Sequence, residues 1–277
     1  MTTAAEALRS ATSRLAAADV ETPGVDAEIL VAHVLGTTRS GVRADGRREL
    51  GPDEAAELER LIERRSRREP LAYVLGEWGF RRLTLDVDAR VLVPRPETEV
   101  VVERCLEHIA DRPEARVLDV GTGSGAIALS IADEHPGARV TALDASEDAL
   151  EVARANVVRT GMSVELVHGD LFHGLPEGPW DLVVSNPPYV RTDEIEGLEP
   201  EVKDWEPRAA LVGDGATEAI ARAALEVLRP GGALVLETAA EDAERVTALL
   251  RDLGYAGVAT TKDLAGRDRV VEGIAPR

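Results

Sequence analysis

Residues 117–132 read VLDVGTGSGAIALSIA, a strand-forming run followed at once by a glycine-rich loop and an apolar helical pattern. Gly121, Gly123 and Gly125 stand where the backbone must turn tightly and approach a ligand closely. With Ala126 the loop also fits the G-x-G-x-x-G/A pattern, so by itself it is compatible with a nicotinamide or flavin cofactor as well. The stretch predicts a strand, loop and helix that bind a nucleotide-like ligand.

Short Val- and Leu-rich runs alternate with helical patterns from about residue 115 onward. The expected strands are RVLDV (116–120), RVTALD (139–144), SVELVHGD (163–170), WDLVVSN (180–186), ALVLET (233–238) and DRVVEG (268–273). The expected helices cover residues 124–134, 146–160, 216–228 and 240–253. This alternation is typical of a parallel, doubly wound α/β sheet with helices on both faces.

The front of the chain has a different pattern. Its first 70 residues contain three helical stretches, AAEALRSATSRLAAA (4–18), DAEILVAHVLG (26–36) and GPDEAAELERLIERRSRRE (51–69). Asp26 is the expected cap of the second helix, and Pro52 suits the first turn of the third. The segment RRLTLDVDARVLVP (81–94), in which Leu83 and Leu85 alternate with polar neighbours, predicts a two-stranded hairpin.

These patterns divide the chain into three parts. We expect a helical domain over residues 1–75, a β-hairpin linker over 76–95 and an α/β domain over 96–277.

The formal net charge of −19 is unevenly distributed. Residues 1–90 hold 14 basic and 16 acidic residues, whereas residues 91–277 hold 18 basic and 35 acidic ones, a net charge of −17. Phosphate backbones attract Lys and Arg and repel acids, so the larger part is poorly suited to binding nucleic acid.

The chain shows no sign of a membrane or metal site. No stretch approaches about 18 uncharged apolar residues, and the first residues lack the apolar run of a signal peptide. The single Cys105 cannot form an internal disulfide, and the five His residues show no metal-binding spacing. These features predict a cytoplasmic protein without a bound metal.

Two acidic residues follow later strands. Asp144 closes its strand 23 residues after Gly121, where a carboxylate accepts hydrogen bonds from ribose hydroxyls, although it suits helix capping equally well. Asp170 ends the next strand and, with Leu171, offers adenine one acceptor and one apolar surface; a turn aspartate explains Asp170 just as well. Asp144 supports an adenosine-containing ligand.

The stretch SNPPYV (185–190) ends the fourth expected strand with an Asn followed by two prolines. Asn186 is expected at the carboxyl edge of the sheet, where open α/β folds bind ligands. Pro187 and Pro188 have fixed φ angles and no N–H groups, so their carbonyls are rigid acceptors. The Asn186 oxygen and the Pro187 carbonyl predict a two-acceptor fork for a planar NH₂ group, with Tyr189 as an aromatic face nearby. The target is an amide or an exocyclic amine.

NPPY together with DVGTGSG resembles the Rossmann-like, S-adenosylmethionine-dependent methyltransferases that act on planar nitrogens. Other segments are similar to glutamine methyltransferases, and most closely to the PrmC/HemK family that modifies peptide chain release factors. These segments are EPLAYVLGEWGF (69–80), VLVPRPETE (91–99), SNPPYV (185–190), EPRAAL (206–211) and AGRDRVV (265–271). The similarity covers essentially the whole chain, and it departs at Asp242, a Gln position of the family, and at Leu171, where some members have Trp.

The resemblance implies a fold and a cofactor. The fold is α/β, a Rossmann-like methyltransferase sheet preceded by a small helical domain and a β-hairpin linker. The cofactor is S-adenosylmethionine, and the residues implied to bind it are Gly121, Thr122, Gly123, Ser124, Gly125, Asp144, Asp170, Leu171 and Asn186.

The resemblance also implies the substrate site. Its catalytic residues are Asn186, Pro187 and Tyr189, and its substrate-binding residues also include Pro188, Arg95 and Glu97. An interdomain ion pair explains Arg95 and Glu97 equally well.

The implied substrate is the glutamine of the Gly-Gly-Gln motif in peptide chain release factors, without direct nucleic acid or membrane partners. A glutamine methyltransferase of a ribosomal protein would share nearly all of these motifs. An adenine-amino DNA or RNA methyltransferase would use the same fork on a flipped base, but the acidic larger part opposes that alternative.

Overall fold

The computed structural model of the chain describes residues 2–276, and its contacts group them into two units. The smaller unit holds residues 2–77 together with Leu198–Trp205. The larger unit holds Trp78–Gly197 and residues 206–276. This grouping joins Leu198–Trp205 to the front helices rather than to the expected 96–277 domain. The domain boundaries at residues 75 and 95 stay predictions.

The helices and strands alternate through most of the chain. The helices are α1 (Ala4–Ala17), α2 (Pro23–Val34), α3 (Arg39–Ala44), α4 (Pro52–Ser66), α5 (Leu71–Leu75), α6 (Thr98–Ile109), α7 (Ala126–Glu134), α8 (Glu147–Thr160), α9 (Pro200–Lys203), α10 (Arg208–Leu211), α11 (Ala216–Val227) and α12 (Ala243–Asp252). The strands are β1 (Glu77–Phe80), β2 (Leu83–Asp86), β3 (Arg116–Val120), β4 (Arg139–Asp144), β5 (Val164–His168), β6 (Trp180–Ser185), β7 (Leu228–Glu237), β8 (Ala256–Lys262) and β9 (Asp268–Ile274).

The first helices begin as their sequences predict, with one exception. Thr3 and Glu6 form a capping box at α1, and Pro52 occupies the first turn of α4. Asp26, the expected cap of α2, instead lies inside the first turn of a helix that begins at Pro23. The cap prediction was wrong because proline starts the helix earlier, which frees the Asp26 carboxylate for another partner.

That partner is Arg65 of α4. Its Nε donates to Asp26 Oδ2 at 2.7 Å, and both side chains are buried. The same guanidinium donates through Nη1 to Glu201 Oε1 at 2.8 Å and to the Glu69 carbonyl at 3.2 Å. Arg68 donates to both oxygens of Glu201. The segment Leu198–Trp205 is therefore held to the front helices by a paired ion cluster whose centre, Arg65 with Asp26, is buried.

The larger unit is built on one seven-stranded sheet in the order β5-β4-β3-β6-β7-β9-β8. The pairs from β5 to β7 are parallel, whereas β9 runs antiparallel to both β7 and β8. The expectation of a wholly parallel sheet was wrong at this edge. A tight turn at residues 263–267 joins β8 to β9, and such a short connection permits only antiparallel pairing.

Both faces of the sheet are covered by helices, as predicted. Val117 and Leu182 pack on one face with α6 and α7, and Leu118 and Val183 pack on the other with α11 and α12. Successive residues of one strand contribute to two different apolar clusters, one on each face of the sheet. This explains why these strands are hydrophobic along their whole length. The predicted α/β fold is confirmed.

Strand register brings three chain segments to one edge of the sheet. Val120 at the end of β3 lies opposite Leu143 of β4 and opposite Ser185 of β6. The glycine loop, Asp144 and Asn186 therefore leave the sheet at the same level, at its carboxyl edge.

The hairpin precedes its predicted position. Its strands are β1 and β2, so RRLTLDVDARVLVP supplies only the second strand, and residues 91–94 are not a strand. The buried Asn156 of α8 accepts from Asp86 N at 2.6 Å and donates to the carbonyls of Asp86 and Ser124 at 3.0 and 2.9 Å. One buried amide thus joins the end of the hairpin to the glycine loop.

None of the helices within residues 2–276 is long and apolar enough to cross a membrane. The same residues contain no cluster of His, Cys, Asp and Glu that would hold a metal ion. Cys105 is buried in α6, where burial raises the pKa of its thiol.

Arg65→Ala should reduce the free energy of unfolding of the smaller unit by about 3–5 kcal/mol, because it leaves the buried Asp26 carboxylate without its cation. Arg67→Ala is the matched control, since the Arg67–Glu63 pair is exposed and contributes little. Native-state hydrogen exchange of the α2 and α4 amides measures both effects. Equal protection of these amides in the two variants would contradict the importance of the buried cluster.

Candidate functional site

A cavity of about 300 Å³ lies at the carboxyl edge of the sheet. Its lining comes from the segment before α6, the glycine loop, the end of β4, the NPPY turn and the EPRAAL segment. The predicted site residues that line it are Gly121, Thr122, Gly123, Ser124, Asp144, Asn186, Pro188 and Arg95. Pro187, Tyr189, Glu97, Gly125, Asp170 and Leu171 lie outside this lining.

The glycine loop has the conformation that its glycines permit. Gly121 and Gly123 have φ angles of 74° and 56°, in the left-handed region that side chains disfavour. The N–H groups of Gly121 and Thr122 donate to the Leu143 carbonyl at 2.8 and 3.0 Å, which fastens the loop to β4. A Cβ at either glycine would meet no protein atom within 4 Å, so both leave free space for a ligand.

Asp144 is held rigidly at the edge of this space. Its Oδ2 accepts from Gly123 N at 2.8 Å, and its Oδ1 accepts from Ser146 N at 2.9 Å. Ser146, not Asp144, caps α8 through a bond from Ala149 N. Each carboxylate oxygen retains capacity to accept from a ligand hydroxyl, so the carboxylate suits a vicinal diol.

Asp119, which the sequence reading missed, supports the glycine loop from below. Its Oδ2 accepts from Thr122 Oγ1 at 2.7 Å and from Ala128 N at 3.2 Å. Burial raises the pKa of Asp119 to about 7, against the effect of these two bonds. An acidic residue inside an apolar strand, such as Asp119 in DVGTGSG, is the sequence signal that could have identified it.

Asn186 presents one end of its amide to the cavity. Its Nδ2 donates to Thr98 Oγ1 at 3.3 Å, and this bond occupies the donor end of the side chain. The acceptor end, Oδ1, makes no hydrogen bond within residues 2–276. Thr98 is the first residue of α6 and also lines the cavity.

The turn with the two prolines after Asn186 packs against the segment at residues 211–213. The Pro187 side chain is buried, and its carbonyl receives no hydrogen bond within the described part of the chain. Val190 donates to the Leu211 carbonyl at 3.0 Å and forms a bridge with Val212. A Cβ at Gly213 would lie 2.6 Å from the Pro188 carbonyl oxygen, so this position is closed to side chains.

Tyr189 lies outside the cavity lining, and its hydroxyl reaches a buried acid. Its hydroxyl donates to Glu237 Oε1 at 3.4 Å, and burial raises the pKa of Tyr189 to about 12. Glu237 ends β7, the strand beside β6, and burial raises the pKa of its carboxyl too. The sequence reading missed Glu237 because a Glu at a strand end usually lies in water.

Arg95 and Glu97 both form ion pairs inside the larger unit. Arg95 Nη2 lies 2.6 Å from each oxygen of Glu206, whose side chain is buried. Glu97 Oε1 accepts from Arg267 Nη2 at 2.8 Å. The interdomain ion pair considered as an alternative is therefore not what either residue forms. Arg95 joins PRPETE to EPRAAL, and Glu97 joins it to the turn between β8 and β9.

Asp170 forms a turn, which was the alternative explanation for an aspartate at this position. Its Oδ1 accepts from Phe172 N at 2.9 Å, which caps a 3₁₀ turn at Leu171–His173. A role for Asp170 and Leu171 in adenine binding stays a prediction.

The site can hold an adenosine-containing cofactor beside a nitrogen acceptor. Gly121 and Gly123 leave open space, the Asp144 carboxylate is available at the rim, and the lining is largely apolar. The acceptors of Asn186 and Pro187, which have no partner among the described residues, lie in the turn that follows β6, the strand beside β3.

Comparison with known proteins decides the family. A family model described as the PrmC N-terminal domain matches residues 6–76, and one described as the methyltransferase small domain matches residues 99–198. A release factor glutamine methyltransferase of Caulobacter vibrioides is 41% identical over 98% of this chain and 96% of its own. One of Deinococcus radiodurans is 44% identical over 95% of each chain. This chain belongs to the release factor glutamine methyltransferase family.

Membership in the release factor glutamine methyltransferase family confirms the resemblance seen in the sequence, and with it the methyltransferase class. The solved structure of the Thermus thermophilus 16S rRNA N2 G1207 methyltransferase (RsmC) is 19% identical, with a TM-score of 0.52 over 72% of this chain and 49% of that one. That likeness shows the fold alone.

Gly213→Ala should lower the methyl-transfer rate of this family member by roughly tenfold to a hundredfold, because the new methyl group displaces the Pro188 carbonyl and with it the NPPY turn. Gly197→Ala is the control, since a Cβ there meets no atom within 4 Å. Transfer of labelled methyl groups measures the rate, and binding calorimetry tests that cofactor affinity is retained. A wild-type rate in Gly213→Ala would show that the packing against Pro188 is dispensable.

Proposed function

We propose that this protein transfers a methyl group from S-adenosylmethionine to the side-chain nitrogen of the glutamine in the Gly-Gly-Gln motif of peptide chain release factors. The names of its relatives and the free acceptors of the NPPY turn support this function. The reaction places the protein in the cytoplasm, with a protein rather than a nucleic acid as its partner. The acidic larger part, with a net charge of −17 over residues 91–277, agrees with that partner.

The glycine loop and Asp144 would hold the cofactor. Gly121, Thr122, Gly123 and Ser124 border the cavity, and the Asp144 carboxylate at its rim would accept hydrogen bonds from the two ribose hydroxyls. When bound, S-adenosylmethionine supplies a methyl group on a positively charged sulfur. The methyl carbon bonds to the nitrogen lone pair, and the two electrons of the broken carbon–sulfur bond stay on sulfur. The acidic character of the larger unit is favourable for a ligand with a permanent positive charge on sulfur.

The observation that carries the proposal is the orientation of Asn186. Because its Nδ2 is occupied by Thr98, its Oδ1 is left to accept one N–H of the incoming amide. The Pro187 carbonyl, fixed by the proline rings, is available for the other. A glutamine nitrogen is a weak nucleophile, since its lone pair is delocalised into the carbonyl. Two acceptors that hold both N–H bonds direct the remaining lone-pair density toward the methyl group.

Most of the acceleration then comes from positioning. The fork fixes the nucleophile before the reaction, and preorganised acceptors need no rearrangement as positive charge develops on the nitrogen. No base is required before attack, because the proton can leave the nitrogen afterwards. Tyr189 follows the fork in the chain, and its ring supplies an aromatic surface for the glutamine side chain.

Asp144→Ala should weaken S-adenosylmethionine binding by roughly 1–3 kcal/mol, because the ribose hydroxyls lose a charged acceptor. Titration calorimetry measures the affinity, and Asp193→Ala serves as the control, because the Asp193 carboxylate is exposed and lies outside the cavity lining. Unchanged affinity in Asp144→Ala would remove this residue from the cofactor site.

The function itself is tested with a purified release factor and labelled S-adenosylmethionine. Mass spectrometry should find one added methyl on the Gly-Gly-Gln glutamine, and Asn186→Ala or Asn186→Asp should cut turnover by roughly a hundredfold or more while cofactor affinity is retained. A ribosomal protein and adenine-containing DNA are the comparison substrates. Methylation of either in preference to the release factor would contradict the proposed substrate, and wild-type turnover in both Asn186 variants would contradict the fork.

A further inference from the structure

The fork works only if the Asn186 amide points the right way. An Asn side chain has a donor end and an acceptor end of nearly the same shape, and only Oδ1 can accept from a substrate NH₂ group. The two orientations are exchanged by rotating the amide plane by half a turn. Some neighbour must therefore favour one of them.

Within residues 2–276, the Asn186 side chain makes one hydrogen bond, from Nδ2 to Thr98 Oγ1 at 3.3 Å. A hydroxyl both donates and accepts, so Thr98 alone would bond either end of the amide equally well. Whether Thr98 accepts from Nδ2 or donates to Oδ1 depends on where its own hydrogen is directed.

Glu237 is the neighbour that can set the direction of that hydrogen. The Thr98 hydroxyl lies near enough to the Glu237 carboxyl to lower its pKa against the effect of burial. A carboxylate only accepts, so a Thr98 hydrogen directed at Glu237 would leave the Thr98 lone pairs for Asn186 Nδ2. Glu237 Oε2 is buried and has no hydrogen-bond partner within residues 2–276, which strengthens this demand for a hydrogen.

The surroundings of Glu237 are consistent with a carboxylate that organises its neighbours. Tyr189 donates to its Oε1 at 3.4 Å, so both the residue that orients Asn186 and the aromatic residue of NPPY turn toward one acid. The charged and titratable groups that face it are Tyr189 after β6, Arg269 on β9 and Glu97 before α6. Arg269 is itself buried and donates to the Thr238 carbonyl at 3.1 Å, which keeps its positive charge beside Glu237.

We propose that Thr98 and Glu237 are positioning residues that orient the Asn186 amide so that its Oδ1 faces the nitrogen to be methylated. This inference rests on the proposed function, and it adds two residues that act through Asn186. Because Glu237 lies outside the cavity lining, its effect is transmitted through Thr98 and Tyr189 rather than by direct contact with a ligand in the cavity.

The orientation depends on the charge of Glu237. Burial raises the pKa of this carboxyl, so it takes up a proton at a higher pH than an ordinary Glu. A protonated Glu237 can donate, and the Thr98 hydrogen is then free to turn toward Asn186. Turnover should therefore be complete above the raised pKa and should fall as the pH drops through it.

Paired variants test the proposal. Thr98→Val removes the hydroxyl but keeps the shape, and it should lower turnover roughly tenfold or more with unchanged S-adenosylmethionine affinity, while Thr98→Ser keeps near-wild-type turnover. Glu237→Gln should lower turnover to a similar extent and abolish the acid-side decline. The double variant should be no worse than either single one, because both break the same chain of contacts. Thr217→Val, a buried threonine in α11, is the control and should keep wild-type turnover.

A readout without substrate separates this inference from the proposed function. In protein labelled with ¹⁵N, the Asn186 side-chain NH₂ resonances, assigned by their loss in Asn186→Ala, should shift in Thr98→Val and Glu237→Gln but not in Thr217→Val. If wild-type protein fails to methylate a release factor while these shifts occur, the proposed substrate fails and the positioning stands. If the resonances do not move, or if Thr98→Ser is as impaired as Thr98→Val, the positioning inference is overturned.

Discussion

Parallel pairing of β3 with β4 and with β6 is the constraint on which the site depends. Val120, Leu143 and Ser185 lie in register, so the chain leaves all three strands at one level. No loop needs to reach far, because the sheet has already brought the glycine loop, Asp144 and Asn186 together. Ser185 reinforces this edge, since its hydroxyl donates to the Val120 carbonyl at 2.6 Å. A register shift of one residue would move every one of these groups to the wrong side of its strand.

Buried carboxylates then fix what the sheet has brought together. Asp119 holds the glycine loop through Thr122, Glu206 holds Arg95, and Glu237 receives the Tyr189 hydroxyl. Burial raises the pKa of all three acids, because the charged form of each carboxyl is less stable in the protein than in water. Burying an acid costs stability, and these three acids lie at the base of three different loops. Their role is therefore better explained by the positioning of those loops than by the stability of the fold.

Sequence reasoning recovered the parallel core because strands buried on both faces are continuous apolar runs, such as VLDV and LVV. It missed β8, whose sequence AGVATTK is mostly exposed at the sheet edge and has no apolar run. Apolar pattern also does not encode direction, and so the antiparallel β9 was read as parallel. In the site, the glycines and NPPY are visible because their residue types are unusual. Glu237 and Asn156 act through long-range contacts that one sequence does not display.

The excursion of Leu198–Trp205 into the smaller unit has a consequence for any attempt to divide the chain. The chain joins the units after Glu77, again near Gly197 and once more near Trp205, so they share three covalent connections. A unit appended at one end of a chain can be removed by a single cut. The smaller unit cannot be removed in this way, because its ion cluster includes Glu201 from the second half of the sequence. A cut after Glu77 would separate Arg65 and Arg68 from the carboxylate that they share.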